Sequence, residues 1–389
     1  MEFENEKLVN VKLFTKVERY QMGTNTISLP VRFSRYDLSR LVNEALGLEK
    51  PIPFDFIVDG KLLRVSLSEY MSTHGISSES TVSLEYVPII STPEEKSSTE
   101  LPDWVSGIAC RDNKYVAGCY DGTIHIYDMD DTLLAESSIH KRPIKSVDCT
   151  TFNNSFLVAT ASLDNTVHIS SLDSTKIVPI CTLSGHDSHV LGCRFSPAGN
   201  LLASCAWNGS LLVWDSASFQ KSAEIEPKQQ LGESLECVSA LSWWENRLVS
   251  GGWDHHIRVW DLESEGMFAD LRGNKVVNSV AVCARNNLMV TGHPDGVRLW
   301  DARQEKANIL TFSGTKHWVS EALWHEEDGN LVVATDYEGC VAVYDIRSSF
   351  PLHSVPRVHE GKILSACWKS ATRLLTGGED AKLKQVEMK

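Results

Sequence analysis

The sequence predicts a mainly β protein: a seven-bladed β-propeller preceded by a small α+β domain. Three observations predict it. All eleven tryptophans lie between Trp104 and Trp368, and in that region a pattern recurs every 40 to 46 residues, the period of propeller blades. The unit ends in an aromatic–acid pair, and the second members of those pairs or their degenerate equivalents are residues 128, 171, 215, 261, 301, 345 and 387, which makes seven units. Residues 1–88 lack tryptophan, cysteine and the period, which marks a separate domain.

The first domain reads as a strand over Val9–Phe14, a second near Thr26–Leu29, and a helix whose Leu38, Leu41, Val42 and Leu46 follow helical spacing. A strand over Phe54–Val58 then turns at Asp59-Gly60, a short segment Leu67–Met71 follows, and an alternating strand runs over Thr81–Tyr86. This order and size are similar to a ubiquitin-like β-grasp domain over residues 1–88. The chain continues past it instead of ending in the free Gly-Gly that conjugation needs, so the domain reads as a docking head. Residues 89–101 are a linker and candidate clasp strand, and Thr92–Glu100, with its Pro, Ser and charges, is expected to be loose and the first site of proteolysis.

Residues 102–389 carry the repeats. The clearest runs from Val249 to Asp261 and ends in Trp260-Asp261; siblings end at Tyr127-Asp128, Trp214-Asp215, Trp300-Asp301 and Tyr344-Asp345. Turn signals stand at Asp121-Gly122, Asn208-Gly209 and Asp295-Gly296, beside alternating runs such as Thr123–Tyr127. A four-stranded sheet cannot bury both faces alone, and stacking seven around an axis does so. The units resemble the WD-repeat family. Gly185-His186 is the full Gly-His of that pattern, with His140, His317 and His359 at comparable offsets.

The WD resemblance implies a buried hydrogen-bond chain of His, Ser or Thr, Asp and Trp that pins each blade, here assigned to His186, Ser250, Asp254, Trp260, Trp214 and Trp300. On that assignment Trp260→Ala is expected to cost about 3 to 5 kcal/mol. Asn208 and Glu338 stand at the turn-acid position, and Ser170-Ser171 replaces Trp-Asp in unit two, so those blades are expected to be less firmly pinned. The seventh unit supplies three strands, and the ring is expected to take its last outer strand from residues 89–101.

Composition narrows the function. With 37 Lys and Arg against 51 Asp and Glu the net charge is −14, which leaves no broad basic face for phosphate attraction. Met1–Glu6 is acidic where a signal peptide would be basic, and no apolar stretch is long enough to span a membrane. No two of the ten cysteines are spaced C-x-x-C, so they read as buried reduced thiols of an intracellular protein. No nucleophile elbow, phosphate loop or zinc-protease motif occurs, and the protein reads as non-enzymatic.

Two stretches carry a narrower resemblance: Leu48–Arg64 with Gly75-Ile76-Ser77-Ser78-Glu79 and Leu84–Val87, and Trp253–Ser264 with Gly273–Asn278. With Asp103-Trp104-Val105-Ser106 at the junction, the chain resembles the WD-repeat subunits of the PeBoW ribosome-biogenesis complex, relatives of Notchless. The resemblance implies a nuclear protein of the nucleolus and nucleoplasm that matures the pre-60S ribosomal particle and takes part in pre-rRNA processing. Its propeller would bind the block-of-proliferation protein and, through it, pescadillo. Its head would be gripped by the AAA ATPase midasin, with Glu79 completing the coordination of a Mg2+ held by that ATPase, or Glu85 if the register is shifted. A carboxylate suits Mg2+, a hard ion that accepts one or two of them.

Other candidates read as structure. His255-His256 are adjacent and point different ways, with no third ligand nearby in sequence. The run Lys141-Arg142-Pro143-Ile144-Lys145 reads as a solvated loop between blades, with RNA or importin contact as the alternative. A ubiquitin-pathway adaptor, whose head binds a proteasome or ligase component, is the competing function.

Overall fold

A computed structural model describes residues 7–23, 26–77, 80–219, 224–225, 229–231, 236–264, 266–304, 307–325 and 327–388. The chain divides into two compact units, Met1–Ser91 and Thr92–Lys389.

In the first unit β1 (Leu8–Phe14) pairs with β2 (Thr26–Pro30), and α1 (Arg35–Leu46) follows. β3 (Phe54–Val58) turns into β4 (Lys61–Leu62), and α2 (Leu67–His74) leads to β5 (Thr81–Pro88). Sheet order is β2-β1-β5-β3-β4, with β1 and β5 parallel at the centre, the β-grasp arrangement. Alternation in β1 puts Val9, Val11 and Leu13 into one core with Leu38 and Val42 of α1. Ser34 and Asp37 form the capping box that starts α1, the Asp37 carboxylate accepting from the Ser34 N–H at 2.9 Å. The β3–β4 turn needs positive φ at both central residues, 48° at Asp59 and 77° at Gly60, which Asp-Gly tolerates. α2 outruns the short segment read from its apolar residues, because Ser66 caps it and Gly75 ends it in the left-handed region.

The second unit contains, among its described residues, seven sheets, numbered one to seven in chain order. Their inner strands are Val105–Arg111, Ile144–Phe152, Val190–Phe195, Val238–Trp244, Ser279–Cys283, Val319–Trp324 and Ile363–Ser370. Each packs against the next and the last returns to the first, so the ring is closed. Close approach between blades is bought with glycine. A Cβ on Gly251 would lie 2.5 Å from Val277, and one on Gly377 would lie 2.6 Å from Val105.

Blade seven takes its outer strand from β6 (Glu94–Glu100), which runs antiparallel to Lys382–Glu387 from Lys382↔Glu100 to Glu387↔Glu94. Lys384–Glu95 at 3.0 Å and Lys96–Glu387 at 3.4 Å flank the ladder. Composition reads Thr92–Glu100 as loose; a backbone ladder holds most of it instead, because pairing along a strand edge does not depend on apolar side chains. Limited proteolysis followed by mass spectrometry is therefore expected to spare Glu94–Glu100. Early cleavage inside it would mean that the clasp opens.

Candidate functional site

The polar pins differ from blade to blade. In blade three, Trp214 Nε1 donates to Ser204 Oγ at 2.8 Å and Ser204 Oγ meets His186 Nε2 at 2.7 Å. His186 Nδ1 lies 2.8 Å from Ser210 Oγ, whose hydroxyl donates to Asn208 Oδ1 at 2.8 Å. Asn208 therefore joins the chain through Ser210, and burial holds His186 down to about 4 from 6.5. In blade four, Trp260 Nε1 donates to Ser250 Oγ at 2.8 Å, while Asp254 takes an ion pair from Arg258 at 2.7 Å.

In blade five, Trp300 Nε1 donates to Thr291 Oγ1 at 2.7 Å, Thr291 meets His293 Nε2 at 2.7 Å, and His293 Nδ1 donates to the Val276 carbonyl at 2.8 Å. Sequence reasoning missed His293, which lies at the end of the second strand instead of in the preceding loop. Its signal was the run Thr291-Gly292-His293-Pro294-Asp295. His317 is a correction: its side chain is 52% exposed and lies 3.8 Å from Glu338, and Thr315 reaches the Tyr344 hydroxyl in its stead. Blades two and seven have His–Asp pairs at 2.8 Å, His140–Asp164 and His359–Asp380, but Ser170 and Val386 stand where blade three has Trp214.

Around the axis lies a cavity of about 580 Å³ lined from all seven inner strands. Arg194 Nη1 donates to the Val147 carbonyl at 3.1 Å and to Ser146 Oγ at 3.3 Å, and Glu321 accepts from Ser279 Oγ at 3.0 Å. Burial pushes the carboxyls of Glu321 and Asp148 up, while the Arg194 charge pulls both back. Trp207, Trp253, Trp318 and Tyr337 also line this cavity. Trp207–Trp253 ring centroids are 5.4 Å apart, Trp253–Trp318 6.4 Å and Trp318–Tyr337 6.3 Å; Trp104 and Tyr120 pair separately at 5.2 Å. Trp207 is 49% exposed and Trp318 38%. Lys145 and Lys362 lie over the rings of Tyr120 and Tyr337 at 5.9 and 5.8 Å, which places Lys145 of the basic run against an aromatic ring. Half-exposed tryptophans in contact with one another are unusual on a free surface and common at the centre of protein interfaces.

In the head, Glu79 lies outside the described residues. Glu85 is a correction. It sits in β5 with its side chain 12% exposed and takes an ion pair from Lys16 at 3.0 Å, so it is not the loop carboxylate that a trans metal contact needs. His256 pairs with Asp270 at 2.7 Å and His255 occupies a positive-φ turn position, so the two histidines are structural. Seven of the ten cysteines are buried; burial pushes the thiols of Cys119, Cys181, Cys193 and Cys237 up to about 12, which makes them poor nucleophiles.

Comparison with known proteins agrees with both units. The family model for the NLE (NUC135) domain matches residues 9–71, and that for the WD domain, G-beta repeat, matches residues 97–128, 177–215 and 226–261. A ribosome biogenesis protein WDR12 homolog of Chlamydomonas reinhardtii is 31% identical, with 98% of each chain covered. Homologs of the same name from Arabidopsis thaliana and Oryza sativa are 29% and 30% identical; the matches cover 97% and 96% of this chain, and 96% and 95% of those proteins. At that identity over nearly the full length, joined to an NLE head and a WD ring, the chain belongs to the WDR12 family of ribosome biogenesis proteins.

Proposed function

We propose that the protein is a non-enzymatic assembly factor of the large ribosomal subunit, working in the nucleolus and nucleoplasm and contributing to pre-rRNA processing as a PeBoW subunit. The ring docks on the block-of-proliferation protein and so reaches pescadillo and the pre-60S particle. The observation that carries the docking role is the run Trp207–Trp253–Trp318–Tyr337 at the mouth of the axial cavity. These rings offer a large, rigid apolar area at little entropic cost, beside buried charges that select register. The head is the handle for midasin, with Glu79 supplying an oxygen to the ATPase's Mg2+. Support for that role is the resemblance through Ile76-Ser77-Ser78-Glu79, together with the removal of Glu85 as an alternative.

The test uses the full chain with purified partners. Trp207→Ala combined with Trp318→Ala is expected to weaken binding to the block-of-proliferation protein at least ~100-fold, about 3 kcal/mol, with the melting temperature kept, because both side chains are partly exposed. Glu79→Ala is expected to leave that affinity unchanged and to abolish Mg2+-dependent binding to midasin. Unchanged affinity in the double tryptophan variant would remove the ring mouth as the docking surface. Co-purification of proteasome or cullin subunits in place of large-subunit precursors would favour the ubiquitin-pathway adaptor.

A further inference from the structure

Blade two holds a cluster that the assembly role does not use. His140, Asp164 and His168 each offer one ligand atom, and the three atoms lie within 4.8 Å of one another. No other such group of three occurs among the described residues. The His140 and His168 rings meet edge to face with centroids 4.4 Å apart. We propose that this cluster is a binding site for a divalent cation of the Zn2+ class, which staples the blade that lacks its tryptophan.

The chemistry of the donor set fits. Two imidazoles and one carboxylate are borderline ligands of the kind Zn2+ takes at about 2.0 to 2.2 Å, with a fourth position left for water. His140 Nε2 lies 2.8 Å from Thr160 Oγ1 and 3.2 Å from the Thr160 carbonyl, which orients the ring so that Nδ1 faces Asp164 and the cluster. On binding, the ring proton moves from Nδ1 to Nε2 by exchange with solvent, which frees Nδ1 for the metal and leaves Nε2–H to donate to Thr160 as the outer partner that fixes a metal-bound imidazole. Asp164 keeps its hydrogen bond from the Thr166 hydroxyl at 2.6 Å, which orients the carboxylate. His168 also lines a cavity of about 330 Å³ with Cys181 and Thr182.

The fold supplies a reason for the site in this blade. In blade three Trp214 donates to Ser204; in blade two its place is taken by Ser170, whose buried hydroxyl has no hydrogen-bond partner among the described residues. Blade seven is the internal control. It has the same arrangement, with His359 between Thr376 and Asp380 and Val386 for the tryptophan, but Lys384 faces Thr376 where His168 faces Thr160. Lys384 is a cation of its own and pairs with Glu95, whereas His168 is a ligand.

The full chain, stripped with chelator and titrated with Zn2+, tests the site against His168→Leu, which puts the residue of blade three (Leu212) in its place and leaves the His140–Asp164–Thr160 hydrogen bonds alone. The wild type is expected to bind one more equivalent of Zn2+ than the variant, with affinity lost at least ~10-fold on substitution. Zn2+ is expected to raise the melting temperature of the wild type only, with the two proteins melting together in chelator. Co2+ in place of Zn2+ is expected to give a tetrahedral absorption spectrum that the variant lacks. If His168→Leu melts early in chelator, His168→Lys, the residue of blade seven, replaces it in the comparison. Equal stoichiometry and equal thermal response in wild type and the folded variant would overturn the proposal, as would a wild type that retains no Zn2+.

Discussion

Trp214→Ala is expected to lower the stability of the ring by about 3 to 5 kcal/mol, and Trp260→Ala by about 2 kcal/mol. Both indoles donate at 2.8 Å to a serine, so the hydrogen bond does not distinguish them. Burial does. Trp214 has no exposed surface and packs with Leu202, Phe195, Val190 and Phe219 in the core shared by blades two and three. Trp260 is only partly buried, against the core between blades three and four. Expecting about 3 to 5 kcal/mol from Trp260 followed from its place in the clearest repeat; regular sequence marks the motif, not the depth of the residue. Removing Trp214 also strips Ser204 of its donor in a chain that continues through His186 and Ser210 to Asn208. Trp214→Phe separates the two contributions: it keeps most of the burial and is expected to cost about 1 to 2 kcal/mol. Urea unfolding measures all three. Equal losses for Trp214→Ala and Trp260→Ala would mean that the hydrogen bond, not burial, sets the energy of the pin.

What the sequence made legible follows a physical division. Blade number and ring closure were readable because each blade must repeat one hydrophobic unit, and a three-stranded seventh unit must find a partner for its edge. The head was readable because helical and strand periods alternate cleanly from Val9 to Tyr86. The pins were less legible. A hydrogen-bond chain can be relayed or rerouted at constant fold, as Ser210 does for Asn208 and His293 does from within its strand. Such substitutions leave no period. The aromatic mouth was invisible for a related reason. Trp207, Trp253 and Tyr337 sit at turn positions of separate blades, and Trp318 just before an inner strand, far apart in sequence until the ring closes. Glu85 misled because distance along the chain from a matched motif says nothing about which face of a strand a carboxylate takes.

Acid is expected to unfold the ring in two stages, the first set by histidines. Burial holds both His186 and His293 down to about 4, from the ordinary 6.5. His293 must stay neutral for its chain to work, since Nδ1 donates to the Val276 carbonyl and Nε2 is left to accept from Thr291, which itself accepts from Trp300. Because the folded pKa lies below the unfolded one, the unfolded chain takes up the proton first as pH falls. The contribution of each neutral histidine is full above pH 6.5, declines between 6.5 and about 4, and is gone below that, a loss of about 3 kcal/mol per histidine. His125, His168 and His359 are also lowered by burial and act in the same direction. Asp164 and Asp380, held below 3.8 chiefly by their histidine partners against their own desolvation, stabilise the fold above that value and lose their contribution only as pH falls through their folded values. They therefore act in the second, more acidic stage. Urea midpoints are expected to stay level from pH 7.5 to about 6.5 and to fall from there to pH 4.5, and His186→Asn is expected to reduce the slope by about 1.4 kcal/mol per pH unit below about 6.5. Stability that stays level from pH 7.5 to 4.5 would show that these imidazoles are protonated within the folded ring, and that the donor order of the pins runs the other way.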